Sequence, residues 1–293
     1  MRASSVVRGA WGIALAAITC AAAPLRLSAQ ERAIPLDPAG YLRVINRVGS
    51  VRVIGWDVDS VRWGAPLAPG AELFGGGSAR MVKVGVEGPD APTALVVRAP
   101  RRAKLVIDAG ESTVEVEGMT GPVEIQGGSG AVNFTGAPVR LTIETVDGAV
   151  TLAGGPYRST QVRTAGGMIR VAGARGELVL SSVTGAVIAE ADSITRGSVT
   201  TVAGVIRLAG SVDPTGTLTV ESHGGDIQLR LDPRQGYEVV ATAFGGSIEN
   251  GLTSTAPRPV RDGRGHQLET TVGGGGGTVT VTSFKGRVRI ERR

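Results

Sequence analysis

Residues 144–154, ETVDGAVTLAG, alternate apolar and polar side chains on both sides of an Asp-Gly pair. The design recurs in RTAGGMIRVAG, SSVTGAVIAE, TTVAGVIRLAG, ESHGGDIQLR and ATAFGGSIEN. Aligned on the turn glycine, the copies are anchored at Gly130, Gly148, Gly167, Gly185, Gly204, Gly225 and Gly246, spaced 18, 19, 18, 19, 21 and 21 residues apart, with Ser112 in the equivalent place before Gly130. Two positions after the anchor stand Val114, Val132, Val150, Ile169, Val187, Ile206, Ile227 and Ile248. Four after stand Val116, Phe134, Leu152, Val171, Ala189, Leu208, Leu229 and Asn250, and five before stand Ile107, Ile125, Ile143, Val162, Leu180, Val199, Val220 and Ala241. Alternation with period two predicts strands, and the dominance of β-branched residues suits a half-buried pleated surface.

Three residues before the anchor the chemistry changes to a hydroxyl column, Thr145, Thr164, Ser182, Thr201 and Ser222, broken by Ala243. Its expected role is structural, as stacked hydroxyls bond between neighbouring strands. Glycines six after the anchor, at Gly118, Gly136, Gly154, Gly173 and Gly210, fit sharp bends. Residue types that repeat in register predict that each copy stacks on the last at about 4.8 Å. The fold expected is therefore all-β: a parallel, right-handed β-helix or β-solenoid with coils of 18–21 residues. Nine such coils would extend on the order of 40 Å. The alternative is a β-sandwich or barrel of antiparallel hairpins, each Asp-Gly or Gly-Gly being a hairpin turn.

The ends keep the frame unevenly. YLRVINRVGSVRVIGWD at 41–57 fits it through Leu42, Val44, Gly49, Val51, Val53 and Gly55, whereas residues 58–104 lose it although MVKVGVEG and ALVVRAP still look like strands. The organisation expected is a leader at 1–29, a β-rich cap with first strands at 30–104, regular repeats at 105–250, a loop and Gly-rich connection at 251–278, and terminal strands of the same domain at 279–293. The basic C-terminus suits a charged final edge that resists pairing with other chains.

Residues 1–29 have the layout of a secretory signal: arginines, an apolar stretch from Ala10 to Pro24 too short to span a membrane, and a small-residue cleavage site after Ala29. Export to the periplasm, the outer-membrane surface or the extracellular space is expected. Lipidation at Cys20 is a rival reading, weakened by Thr19 where a smaller residue is usual. Removing Arg2, Arg8 and Arg26 takes 31 basic residues to 28 against 26 acidic ones, so the mature chain is close to neutral. A near-neutral chain with 3% aromatic residues speaks against nucleic acid. Because Cys20 is the one cysteine, the mature chain has neither disulfides nor thiolate metal ligands.

The pattern resembles the bacterial putative-adhesin family of unknown function, whose members repeat T-x-x-G-x-I-x-L after a signal sequence and are similar to autotransporter adhesin heads. NRVGSVRVIGWD, VVRAPRRAKLVIDAGESTVEVEG and the ladder from IQGGSGAVNF onward carry the resemblance, over most of residues 41–290. It implies an exported, non-enzymatic β-solenoid. The family's motif positions are structural, so no functional residue transfers, and fold analogy does not establish function.

The candidate chemical groups in the sequence reduce to structural roles. Asp147 adjoins its anchor, but Gly166, Thr184, Ala203, Gly224 and Gly245 replace it in later copies, so no acids stack. Asp192, Asp213 and Asp232 fall near corners, where Asp serves turns. His223 lies in the column of Val146, Ala165, Val183, Val202 and Phe244 and is expected to fill a packing slot; its HGG has no accompanying G-x-S-x-G. His266 has no second ligand nearby, Val132 replaces the Asp that a calcium nonapeptide needs, and GGGGG at 273–277 lacks the Lys-Ser/Thr of a phosphate loop. One outward column, Glu115, Asn133, Thr151, Arg170, Ile188, Arg207, Gln228 and Glu249, places Arg170 and Arg207 two copies apart, a span that suits an acidic sugar or lipid head group. Neither a cofactor nor a metal is expected. The function expected is an adhesin-like envelope binding or structural protein whose partners are a glycan, the cell wall or another envelope protein; the alternatives are a carbohydrate-active β-helix enzyme or a regulatory partner.

Overall fold

The structure, a computed structural model, describes residues 30–260 and 264–293, so the expected leader with Cys20 lies outside the described residues. Among the described residues there are 22 strands and no helix. The N-terminal group is β1 (Gln30–Pro35), β2 (Tyr41–Trp56), β3 (Ser60–Ala65), β4 (Glu72–Ser78), β5 (Met81–Glu87) and β6 (Thr93–Pro100). The repeats form β7 (Lys104–Glu117), β8 (Val123–Gly127), β9 (Val132–Thr135), β10 (Leu141–Thr145), β11 (Val150–Ala153), β12 (Tyr157–Thr164), β13 (Ile169–Ser182), β14 (Val187–Thr201) and β15 (Ile206–Ser222). The C-terminal group is β16 (Ile227–Leu231), β17 (Tyr237–Ala243), β18 (Ile248–Asn250), β19 (Arg258–Pro259), β20 (His266–Val272), β21 (Gly277–Ser283) and β22 (Val288–Arg292).

Neighbouring copies pair in parallel and in register. Ile125, Ile143, Val162, Leu180, Val199 and Val220 are successive partners in one ladder. Val132, Val150, Ile169, Val187, Ile206 and Ile227 run the same way through another. Every one of these side chains is buried, at roughly 1.5–3 kcal/mol of stabilisation each. Phe134, Tyr157, Tyr237 and Trp63 are the largest wholly buried side chains, so a core with few aromatics is filled mostly by Val, Ile and Leu.

The two ladders are joined. β7 and β13 each take part in both, so β7–β8–β10–β12–β13 and β13–β11–β9–β7 close into a seven-strand parallel barrel with the other strands outside it. This overturns the expected right-handed β-solenoid of separate 18–21-residue coils. Periodicity reports which residues share a rung, but it is silent on whether a strand stops at a turn or runs through it. β13, β14 and β15 run through, at 14, 15 and 17 residues. The alternative of a hairpin barrel anticipated closure only: the repeat turns join parallel strands, and among the described residues antiparallel pairing is confined to β1–β3, β3–β6, β4–β5, β17–β20 and β19–β20.

Both ends are interleaved. β2 pairs with β7 on one side and with β5 and β6 on the other. At the far end β21 lies between β15 and β17, and β22 between β16 and β18. The C-terminal strands are thus an inner rung, which corrects their expected place as a final edge. Val279, Val281, Val288 and Ile290 are buried there, while Arg287 and Arg289 face solvent. The anchors follow the same detour: Gly225 abuts Gly286, and Gly286 abuts Gly246.

Each anchor glycine sits where two backbones meet. A Cβ on Gly148 would overlap the carbonyl oxygen of Gly130, one on Gly167 that of Gly148, one on Gly185 that of Gly167, and one on Gly204 that of Gly185. None of these four has a positive φ, so the requirement is space rather than backbone freedom. Gly185→Ala should therefore lower stability by about 1–3 kcal/mol, the usual cost of forcing atoms into a filled site. Gly274→Ala, where an added Cβ meets nothing within 4 Å, should be nearly neutral in the same thermal or urea unfolding. Equal midpoints for the two variants would refute the close-approach account.

Candidate binding surface

The hydroxyl column works inside each turn. Gly148 N–H donates to Thr145 Oγ1 at 3.0 Å, Gly167 N–H to Thr164 Oγ1 at 3.1 Å, and Gly185 N–H to Ser182 Oγ at 2.9 Å. Gly204 N–H donates to Thr201 Oγ1 and Gly225 N–H to Ser222 Oγ, both at 2.9 Å. A buried backbone donor must find a partner, and the chain turns too tightly here for a strand to supply it. Ser222 Oγ donates in turn to the Gly225 carbonyl at 2.7 Å. All five hydroxyl residues are buried, so they serve the frame and present nothing to a ligand. Their main bonds lie within a copy, not between strands as the stacking of types suggested.

The outward column carries the exposed chemistry. Its rungs run Arg52, Glu115, Asn133, Thr151, Arg170, Ile188, Arg207, Gln228, Arg289 and Glu249. Arg170 and Arg207 are exposed and flank half-buried Ile188, each one rung away. A shallow groove of about 180 Å³ beside Arg207 is lined by Ile188, Glu190, Arg207, Gln228 and Arg230, so both charge signs meet there. Elsewhere on the column the charges are paired: Arg52 with Glu117 at 2.9 Å and Arg289 with Glu249 at 2.7 Å.

The remaining candidates scatter. Asp147 is exposed at its turn with no carboxylate beside it in the column. The Arg234 side chain donates to Asp232, with Nη2 2.6 Å from Oδ2, and the Arg234 backbone N–H adds a bond at 3.0 Å; together they hold the Asp232 carboxyl down at about 2. An acid so depressed cannot donate a proton near neutrality. His266 Nδ1 lies 3.4 Å from the Gly246 carbonyl oxygen. No group of three or more metal-ligating side chains occurs among the described residues, and no helix there is long and apolar enough to cross a membrane.

His223 does not fill a packing slot. It is exposed, with its ring 4.7 Å from that of Phe284, which stacks on Phe244 at 5.3 Å. Val146, Val183 and Val202 in the same column are 63%, 47% and 50% exposed. Apolar side chains at these places face water because the turn displaces them outward while the neighbouring hydroxyl turns in. Apolar type alone had suggested the reverse.

Thr164→Val keeps shape but leaves the Gly167 N–H unpaired in a buried turn, so a loss of about 1–3 kcal/mol in chemical unfolding is expected, with Thr164→Ser close to wild type. A valine variant as stable as wild type would remove the clasp. For Asp232, a carboxyl titration followed by NMR should give a midpoint near 2 in the folded protein. Its stabilising contribution is present above the ordinary Asp value of about 3.9 and fades as pH falls through the folded value. An ordinary midpoint would show that the Arg234 contact does not persist in solution.

No family model matches the chain, so the family resemblance rests on the repeat residues themselves. No curated protein matches it either. Among solved structures it is similar to a putative cell adhesion protein from Clostridium sporogenes ATCC 15579, at 9% identity over 90% of this chain and 100% of that one, with a TM-score of 0.24. It is similar also to a putative adhesin from Parabacteroides merdae ATCC 43184, at 13% identity over 89% and 95%, TM-score 0.34. A third, described as a putative lipid binding protein from Parabacteroides distasonis ATCC 8503, has 10% identity over 89% and 96%, TM-score 0.37. At these scores the likenesses carry no argument about ligand or activity.

Proposed function

We propose that this is an exported, non-catalytic binding protein of the bacterial envelope, adhesin-like in that it holds a long polar surface against a glycan or the wall. The observation that carries the reading is the unbroken outward column from Arg52 to Glu249, in which each copy contributes one exposed or half-exposed side chain at strand spacing. Rungs about 4.8 Å apart on a hydrogen-bonded frame present groups at fixed intervals. A repetitive polymer meets such a surface at many weak points, and linked weak contacts gain strength through effective concentration rather than depth. The residues that could serve acid–base chemistry are separated or, like Asp232, engaged by a cation, which favours binding over turnover.

The test is retention of the purified protein on glycan arrays and on isolated cell-wall material. Retention on at least one glycan or wall fraction, reduced by competing soluble fragments, is the expected result. Absence of retention on every glycan and wall fraction would sink the reading, as would release of new sugar ends from a bound polysaccharide.

A further inference from the structure

Each copy has two turns, and the one that leads to the next copy differs in chemistry from the glycine turn. Residues 100–104, 118–123, 136–141 and 154–160 occupy successive rungs. Leu105 N–H donates to the Pro122 carbonyl, Val139 N–H to that of Thr120, and Val123 N–H to that of Arg140, while Leu141 pairs with Thr160. These four segments hold Arg101, Arg102, Lys104, Arg140 and Arg158 and contain no acidic residue. Arg101 is held by Asp57 at 2.7 Å, and Lys104 lies over the Tyr41 ring. Arg102, Arg140 and Arg158 are exposed and make no ion pair among the described residues. On the strand faces several arginines are matched by acids, as in Arg43–Asp108 and Arg163–Glu144, while Arg170 and Arg207 stand singly among neutral rungs. Here the charge is left uncompensated.

A groove of about 630 Å³ runs along this corner, with Arg102 and Arg158 in its lining and walls of Pro122, Pro138, Val139 and Pro156. Three successive turns each contribute a proline, so the walls are saturated and stiff. Tyr157, between Pro156 and Arg158, is wholly buried, packs edge-to-face on Phe134 and donates its hydroxyl to the Ala153 carbonyl, which fixes that end of the groove. The two arginines belong to copies three rungs apart, on the order of 14 Å along the backbone.

We propose that this groove binds an acidic glycan: an oligosaccharide whose carboxylate or sulfate groups are taken by Arg102 and Arg158 while the C–H faces of its rings lie on the proline and valine walls. Guanidinium groups suit planar or branched oxyanions through paired N–H donors. Proline walls offer no aromatic face for a nucleobase. Val139, 57% exposed in the groove wall, is the one exposed valine of this corner, whereas Val146, Val183 and Val202 line up at the other turn of each copy, so the basic corner offers one apolar anchor rather than the row that an acyl boundary takes. The inference rests on the proposed glycan-binding role and adds to the outward column a separate corner site for a glycan of acidic class.

Calorimetric titration of the purified protein with oligogalacturonate and with a heparin-derived oligosaccharide tests it, beside an uncharged maltooligosaccharide and phosphatidylglycerol vesicles. Binding of one or both acidic glycans, weakening with salt, is expected. Arg102→Ala with Arg158→Ala should lower that affinity tenfold or more with an unchanged melting curve, while Arg258→Ala with Lys285→Ala, exposed residues outside both the groove and the outward column, should leave it within twofold. Wild-type affinity in the Arg102/Arg158 variant would overturn the site and leave the envelope-binding reading standing. The site is overturned in the same way if neither acidic glycan binds, or if only the vesicles do, while other glycans or wall material retain the protein. No retention by any glycan or wall fraction would overturn both.

Discussion

The turn glycines bring the backbones of adjacent copies so close that a single methyl group does not fit between them. Gly148 against Gly130, Gly167 against Gly148 and Gly185 against Gly167 repeat one contact along the stack. The hydroxyl three residues earlier makes that contact possible by satisfying the glycine N–H from within the copy. Register, rung spacing and the burial of the apolar columns follow, because a bulkier turn would hold the strands apart. An individual copy has too few apolar residues to form a core alone, so its stability comes from its neighbours.

With the frame secured by turns and inward columns, outward positions are free to vary. That freedom explains the mixed outward column of Arg, Glu, Asn, Thr and Gln, and the concentration of unpaired arginines at the opposite corner. The two turns of a copy divide the labour. The glycine turn has apolar side chains thrust into water over a buried hydroxyl, and the proline turn pairs saturated walls with uncompensated positive charge. A surface used for binding can change at the second without disturbing the first.

The interleaved ends solve a different problem. A stack of parallel strands leaves an open edge at each end, a template for pairing with other chains. Here antiparallel strands lie outside the parallel ones at both ends, β4 on β5 and β20 on β17. The last copy lies within the stack, with its arginines outward in pairs such as Arg289–Glu249.

Strand character, the three apolar columns, the anchors and the placement of Arg170 and Arg207 on one face were legible in the sequence, because alternation and spacing are local properties that survive any arrangement of copies. The tertiary structure alone decided that β7 and β13 run through both ladders and close a barrel, and that residues 277–292 insert between earlier copies. It also decided that Val146, Val183, Val202 and His223 face water. Arg102, Arg140 and Arg158 were invisible as a group, since prolines and isolated arginines in turns look like ordinary connections until stacking gathers them within four successive rungs. Periodicity specifies which residues are equivalent; which equivalents are neighbours depends on where strands continue through a turn and which edge is open when the chain returns.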